Sequence, residues 1–320
     1  MRLKMFHPVI STIMYTKSNI LSTLAYFDLF HYPLTQREIW LFLQHTCTTT
    51  EFNEALADLR HRELVNKFGD VYSLRNEPYV STCRMEGNKK AAALIKTAKR
   101  VSILLAKFPF VRAVGISGSL SKNFADDESD IDLFIITAEN KLWITRTFMH
   151  CFKKLTFLFN RQHLFCMNYY VDEKELEIEE KNIYTATELV TLIPMQGETA
   201  FKAFYAANSW SQSFLPNHFL RVSSSECIPS FLPKYIIEKM FNNRFGNWLD
   251  DQLMKITAER WQKKTAKNKK NNKGVTMSMI AKKHMAKPDP VFFQDNLLHR
   301  YAERASRVIR QSEGDYAQVK

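Results

Sequence analysis

One stretch constrains this chain more than any other: Val111 to Thr137, VRAVGISGSLSKNFADDESDIDLFIIT. A short apolar run, Val111–Ile116, breaks at Ser117-Gly118-Ser119. A polar, acidic segment follows, and a second apolar run, Ile131–Ile136, starts beside Asp130 and Asp132. Both runs are short, rich in β-branched residues and bounded by turn formers, which predicts two buried strands. Side chains two apart on a strand share a face, so Asp130 and Asp132 are expected side by side. Two carboxylates on one face, next to a Gly-Ser turn, suit a hard divalent cation and a chain of phosphates. Taken singly, Gly-Ser is only a turn and Asp-x-Asp only the cap and flank of a strand. Their combination, with an apolar strand on each side, carries the reading.

The spacing is Gly118-Ser119, ten residues from Leu120 to Ser129, then Asp130-Ile131-Asp132-Leu133. It resembles the pattern of the DNA polymerase beta superfamily of nucleotidyltransferases. The run Gly118-Ser119-Leu120-Ser121-Lys122-Asn123 also resembles the GSxARG form found in small nucleotidyltransferases. Lys122 takes the place of its Arg and Asn123 that of its second Gly, and Asn is the next most tolerant residue of positive φ. The resemblance implies an α/β fold of the α+β type, a nucleotidyltransferase domain with a small mixed sheet flanked by helices. It implies catalytic and Mg²⁺-holding roles for Asp130 and Asp132, and triphosphate contacts from Gly118, Ser119, Ser121 and Lys122. The expected reaction moves a nucleoside monophosphate from an NTP, ATP foremost, to an unidentified acceptor. Physical chemistry agrees: Gly118 lets the backbone approach phosphate oxygens, and the Ser119 hydroxyl with the amides after it can donate to them.

In the same superfamily the third strand usually carries a third carboxylate. Here that strand is expected over His163–Val171, with Asn168 at its middle and Asp172 at its end. This departure keeps a second function open: a catalytically weak or inactive nucleotide-sensing or DNA-binding regulator that retains the fold.

With 320 residues the chain is expected to hold two or three domains, placed at 1–80, 81–231 and 232–320. A net charge of +12 favours nucleotides, nucleic acid or another polyanion, although much of it sits in Lys263–Lys273, a run that reads either as a solvated linker or as a polyanion contact. The five cysteines are scattered without CxxC or zinc spacing, which fits reduced thiols and a cytoplasmic location. The N-terminus lacks an uninterrupted apolar core of signal-peptide type. The most apolar later stretch, Leu142–Leu158, is broken by Arg146, His150, Lys153 and Lys154, so no membrane span is expected.

Residues 20–75 have the layout of a winged helix-turn-helix. A helix is expected over Ile20–Leu29, a second opens with the capping box Thr35–Glu38, a third follows the cap at Thr48–Glu51, and a hairpin turns at Gly69-Asp70. The phrase YFDLFHYPLT resembles the front of bacterial proteins that join such a module to a nucleotidyltransferase domain. The third helix would read DNA, but it mixes Glu51, Glu54 and Asp58 with Arg60, His61 and Arg62, so packing through Phe27, Phe30, Tyr32 and Trp40 is preferred, with at most weak nucleic-acid contact. Ser81–Asn88 reads as loop, Lys89–Lys107 and Lys141–Phe159 as helices. Thr185–Glu188 reads as the cap of a helix ending near Pro194. Tyr184, Asn182 and Glu188 could approach a nucleotide, though the capping pattern accounts for Glu188 without that role. Helices are further expected over Glu198–Trp210, residues 232–262 and Gln294–Gln311, which makes the C-terminal portion helical.

Overall fold

A computed structural model describes residues 6–156, 166–220, 226, 228, 231–268, 270, 276, 278–288 and 293–318. The chain opens with α1 (Phe6–Asp28), β1 (Leu34–Thr35), α2 (Gln36–Leu41), α3 (Thr49–His61), β2 (Asn66–Phe68) and β3 (Val71–Ser73). Both helix starts follow from local chemistry. The Thr35 and Thr48 hydroxyls accept from the N–H groups of Glu38 and Glu51, and each Glu carboxylate accepts from the N–H of its threonine. The hairpin turns at Gly69, whose φ of +60° suits a residue without a Cβ. The three expected helices and the hairpin are therefore present. In addition, β1 joins the antiparallel sheet in the order β1-β3-β2, and α1 begins at Phe6 rather than Ile20.

Next comes α4 (Tyr79–Leu105), which corrects the loop expected over 81–88. Tertiary contacts hold this part helical. The Arg84 guanidinium, 5 % exposed, donates to Glu38 Oε1 at 2.6 Å and to the Pro33 carbonyl at 2.5 Å, and lies 3.9 Å from the centre of the Tyr32 ring. At Gly87 the helix comes so close to the Phe124 ring that a Cβ there would overlap it.

The central unit contains β4 (Val111–Ile116), α5 (Gly118–Ser121), β5 (Asp132–Thr137), α6 (Leu142–Thr156), β6 (Cys166–Asp172), α7 (Ile183–Thr191), β7 (Ile193–Gln196), α8 (Glu198–Ala207) and α9 (Ser211–Phe214). The C-terminal part adds α10 (Leu232–Phe241), α11 (Arg244–Ala266), β8 (Met279–Ala281), β9 (Met285–Pro288) and α12 (Phe293–Gln318). Six strands form a mixed sheet in the order β7-β4-β5-β6-β9-β8, in which β5 and β6 run parallel and the other pairs antiparallel. Alternation along β4 and β5 gives each face its own core. Val114, Ile116, Leu133 and Ile135 pack with Leu105 and Trp143 on one side; Ala113, Phe134 and Ile136 pack with Phe201 and Phe204 on the other.

Several elements differ from expectation. The strand β7 carries Pro194, tolerated because β7 lies at the sheet edge and Pro cannot donate to a ladder. The helix expected over 232–262 is broken at Asn242-Asn243, where the Asn243 side chain caps α11 by accepting from the Gly246 N–H. Residues 157–159 of the helix expected over Lys141–Phe159, 163–165 of the third strand, and much of the basic run after Lys267 lie outside the described residues. The C-terminal portion is not purely helical, since β8 and β9 complete the sheet.

The last helix reaches back to the first module. Asp28, 7 % exposed, meets Arg75 at 2.6 Å and Arg304 at 3.0 Å. Gln44 donates to the Tyr301 hydroxyl at 2.7 Å and Arg62 to the Ser312 carbonyl at 2.6 Å. Val308 of α12 and Ala186 and Val190 of α7 belong to the same apolar core as Leu21, Leu24 and Phe52. Among the described residues no helix is long and apolar enough to cross a membrane.

Candidate functional site

At the start of β5 a cavity of about 290 Å³ opens beside the turn that leaves β4. The Ser117 N–H donates to the Asp132 carbonyl at 2.9 Å, which ties the turn to the strand. Gly118 follows with φ +69°, and a Cβ on it would overlap the Asp132 carboxylate. Glycine is thus required twice, for the left-handed backbone and for the close approach of the aspartate. Ser117, Gly118 and Asp132 line the cavity.

The remaining sequence-predicted residues follow this turn in the chain. Asp130 is exposed and precedes β5, which begins at Asp132, so the two aspartates do not share a strand as expected. Ser119 is exposed on α5, while Ser121 is buried, donates to the Gly118 carbonyl at 2.8 Å and lies 3.3 Å from the Thr191 hydroxyl. Lys122 donates from Nζ to the same carbonyl at 3.1 Å and to Glu188 Oε1 at 2.6 Å. Asn123 has φ +60°, as its place opposite a glycine of the resembled pattern requires. From the first module the Tyr32 hydroxyl donates to the Lys122 carbonyl, and its ring meets Phe124 edge-on at 5.6 Å.

The facing wall comes from α7. Its N-cap is Asn182, whose Oδ1 accepts from the Thr185 N–H at 3.0 Å. This corrects the capping role of Glu188: the carboxylate lies a turn further on and faces the cavity together with Tyr184, Thr185, Leu189 and Leu192. Burial holds the Tyr184 hydroxyl well above its ordinary pKa, and the carboxylates of Glu188 and Asp132 push it further the same way. Both acids therefore act on one phenol inside the same cleft. Phe134 and Tyr169 form part of the floor, and Lys287, Pro288, Phe293 and Gln294 close it from the C-terminal part.

On β6 the partner of Asp132 is Cys166, and Leu133 pairs with Met167 before a register shift brings Tyr169 opposite Phe134. Asn168 falls at that shift; its side chain lies outside the described ones. Asp172 stands at the far end of the strand opposite Thr137, buried, accepting from the Asn140 and Lys174 N–H groups and held 2.8 Å from His284 Nδ1. Its role there is to fix the chain. Among the described residues no three His, Cys, Asp or Glu side chains converge as a metal-holding group.

Residues 98–196 match the family model of the nucleotidyltransferase domain. No curated protein and no solved structure matches the chain. The matched span runs from the last turns of α4 to the end of β7, and it contains Gly118, both aspartates and Glu188. Nucleotidyl transfer is the general function that such a domain carries. The walls supplied by β9 and α12 lie beyond the matched span. Sequence reasoning missed Ser117, Phe134, Tyr169 and these C-terminal residues as members of the site. On α7, sequence reasoning names Tyr184 and Glu188, together with Asn182, as residues that could approach a nucleotide.

Proposed function

We propose that the protein transfers a nucleoside monophosphate from an NTP, ATP foremost, to a hydroxyl of an acceptor. The acceptor oxygen forms a bond to the α-phosphorus, the bond from that phosphorus to the bridging oxygen breaks, and pyrophosphate leaves with the electron pair. The hydroxyl proton passes to a base in the cleft or to solvent. The observation that carries this reading is the contact of Gly118 with the Asp132 carboxylate at the mouth of the cavity. A backbone without a side chain lies beside a carboxylate, where a phosphate chain and an oxygen-liganded cation meet.

The carboxylates suit Mg²⁺: Asp132, which lines the cavity, and Asp130, two residues earlier, would hold it as hard oxygen ligands. Such an ion would offset the charge developing on the leaving pyrophosphate. Gly118, Ser117 and Ser119 present backbone and hydroxyl groups to the triphosphate, and Lys122 adds a positive charge once released from Glu188. Residues 1–80 act as a winged-helix module that docks on the transferase unit, Tyr32 gripping the Lys122 carbonyl. The location proposed is the cytoplasm.

A second reading is favoured by the register of β6, which sets Cys166, not an acid, opposite Asp132. It is a nucleotide sensor or DNA-binding regulator that binds NTP without turnover. Incubation with α-labelled NTPs and cell extract separates the two. Mg²⁺-dependent label on an acceptor, lost in Asp132→Asn, supports transfer; tight binding without any transfer moves the sensor ahead.

A further inference from the structure

The cavity is chemically mixed. Beside Ser117, Gly118 and Asp132 it is lined by the rings of Phe134, Tyr169, Tyr184 and Phe293. Phe134 and Tyr169 lie 5.2 Å apart at 35°, and Tyr184 meets Phe293 edge-on at 5.9 Å. Phe293 is nevertheless 43 % exposed, so one side of its ring is uncovered although it lines the cleft. Polar groups stand beside the rings. Lys287 Nζ lies 5.7 Å from the centre of Tyr169 and 2.7 Å from Glu180 Oε1, and Gln294 Nε2 donates to the Thr185 hydroxyl at 3.3 Å.

We infer that these rings form the nucleobase site, built in part by β9 and α12 outside the span matched by the nucleotidyltransferase model. The inference rests on the transferase reading given above and adds the residues that hold the base. An NTP joins the two chemistries that line the cleft: a polyanion, and a flat, largely apolar ring with hydrogen-bonding edges. Rings stack on aromatic faces whatever the base, and groups such as Gln294 and Thr185 then meet the base edge. Phe293 opens the last helix and Gln294 follows it, so the helix that packs on the first module also closes the nucleotide cleft.

The test compares ligands that share the phosphate end and differ at the ring. Affinities of the full chain for Mg-ATP, Mg-GTP, Mg-UTP and Mg-tripolyphosphate are measured by calorimetry for wild type, Phe293→Ala and Phe293→Leu. Phe293→Leu keeps apolar bulk without the ring, and a melting scan confirms that each variant is folded. The expected result is that wild type binds NTPs more tightly than tripolyphosphate. Both variants should then lose roughly five- to hundredfold for NTPs, with tripolyphosphate unchanged. Equal losses for NTPs and tripolyphosphate, or no loss for either, would overturn the base site. Wild type binding tripolyphosphate as tightly as every NTP also overturns it, while leaving the transferase reading in place. Wild type binding none of the four overturns both.

Discussion

Lys122 Nζ lies 2.6 Å from Glu188 Oε1, joining the turn after β4 to the helix α7 on the opposite wall of the cleft. Their side chains are only 16 % and 26 % exposed, so water weakens the pair less than it would at the surface. A triphosphate entering beside Gly118 would meet the Glu188 carboxylate as a like charge and would compete with it for Lys122. Glu188→Gln should therefore tighten Mg-NTP binding, by on the order of 1 kcal/mol or about fivefold. Lys122→Met should weaken it. Calorimetry on both variants checks this, and weaker binding in Glu188→Gln would show that the carboxylate assists the nucleotide instead.

Gly118→Ala puts a Cβ at φ +69° and into the Asp132 carboxylate. The left-handed backbone alone costs roughly 1–2 kcal/mol. The larger effect is local, because Asp132 must move away from the turn. The expected outcome is a modest drop in melting temperature with loss of most Mg²⁺-dependent nucleotide affinity. A variant that binds Mg-NTP like wild type would show that this contact does not shape the site.

Asp250 gives a pH dependence away from the cleft. It is 1 % exposed on α11 and accepts from the Ile144 N–H at 2.8 Å, at the start of α6. Burial pushes its pKa up to about 7, against the pull of the Ile144 and Trp143 N–H groups and of Lys141, while Asp172 adds to the rise. In the unfolded chain the group ionises near its ordinary value of 3.8, so above that pH folding must take up a proton. Stability is full below about pH 4 and is lost as pH rises through about 7. Asp250→Asn removes this loss. Relative to wild type, its unfolding free energy should rise by on the order of 2 kcal/mol between pH 4.5 and 7. Urea titrations at the two pH values measure the difference, and parallel pH profiles would refute the assignment.

The parts of the fold that were legible in the sequence are those encoded by neighbours. The strand β4 coincides with the apolar run Val111–Ile116, and both capping boxes form from residues three apart. The parts that were not legible depend on distant partners. Residues 81–88 are helical because Arg84 finds Glu38 and Pro33, some fifty residues earlier in the chain. The edge strands β7 and β8 and the neighbouring β9 are three or four residues long, too short for a period to show, and β7 contains a proline. Glu188 fitted a capping pattern with Thr185, but Asn182 took that position and left the glutamate to the cleft. Half of the candidate site was therefore visible, the turn and the aspartates. The wall formed by Lys287, Pro288, Phe293 and Gln294 carries no motif and joins the site through sheet pairing and the packing of α12.

The third helix offers the last prediction, which concerns DNA. In a helix-turn-helix the cations of that helix would approach phosphates. Here Arg62 is occupied: it donates to the Ser312 carbonyl at 2.6 Å and lies 4.0 Å from Asp58, which in turn pairs with Lys17 at 2.7 Å. Exposed Glu54 and half-buried Asp58 oppose the remaining exposed Arg60. The full chain should therefore bind a random duplex only at the non-specific level, with Kd on the order of 10⁻⁴–10⁻⁶ M at physiological salt. Whatever salt dependence it shows should come from the basic end of α11, where Lys263, Lys264 and Lys267 lie, and should flatten when Lys263–Lys273 is deleted. Arg62→Ala should leave the affinity unchanged while lowering stability through the lost contact with α12. Fluorescence anisotropy over a salt series, with unlabelled competitor, measures both slopes. Selection of one sequence a thousandfold above the pool, abolished by Arg60→Ala, would overturn the docking role and move the regulator reading ahead of the enzyme.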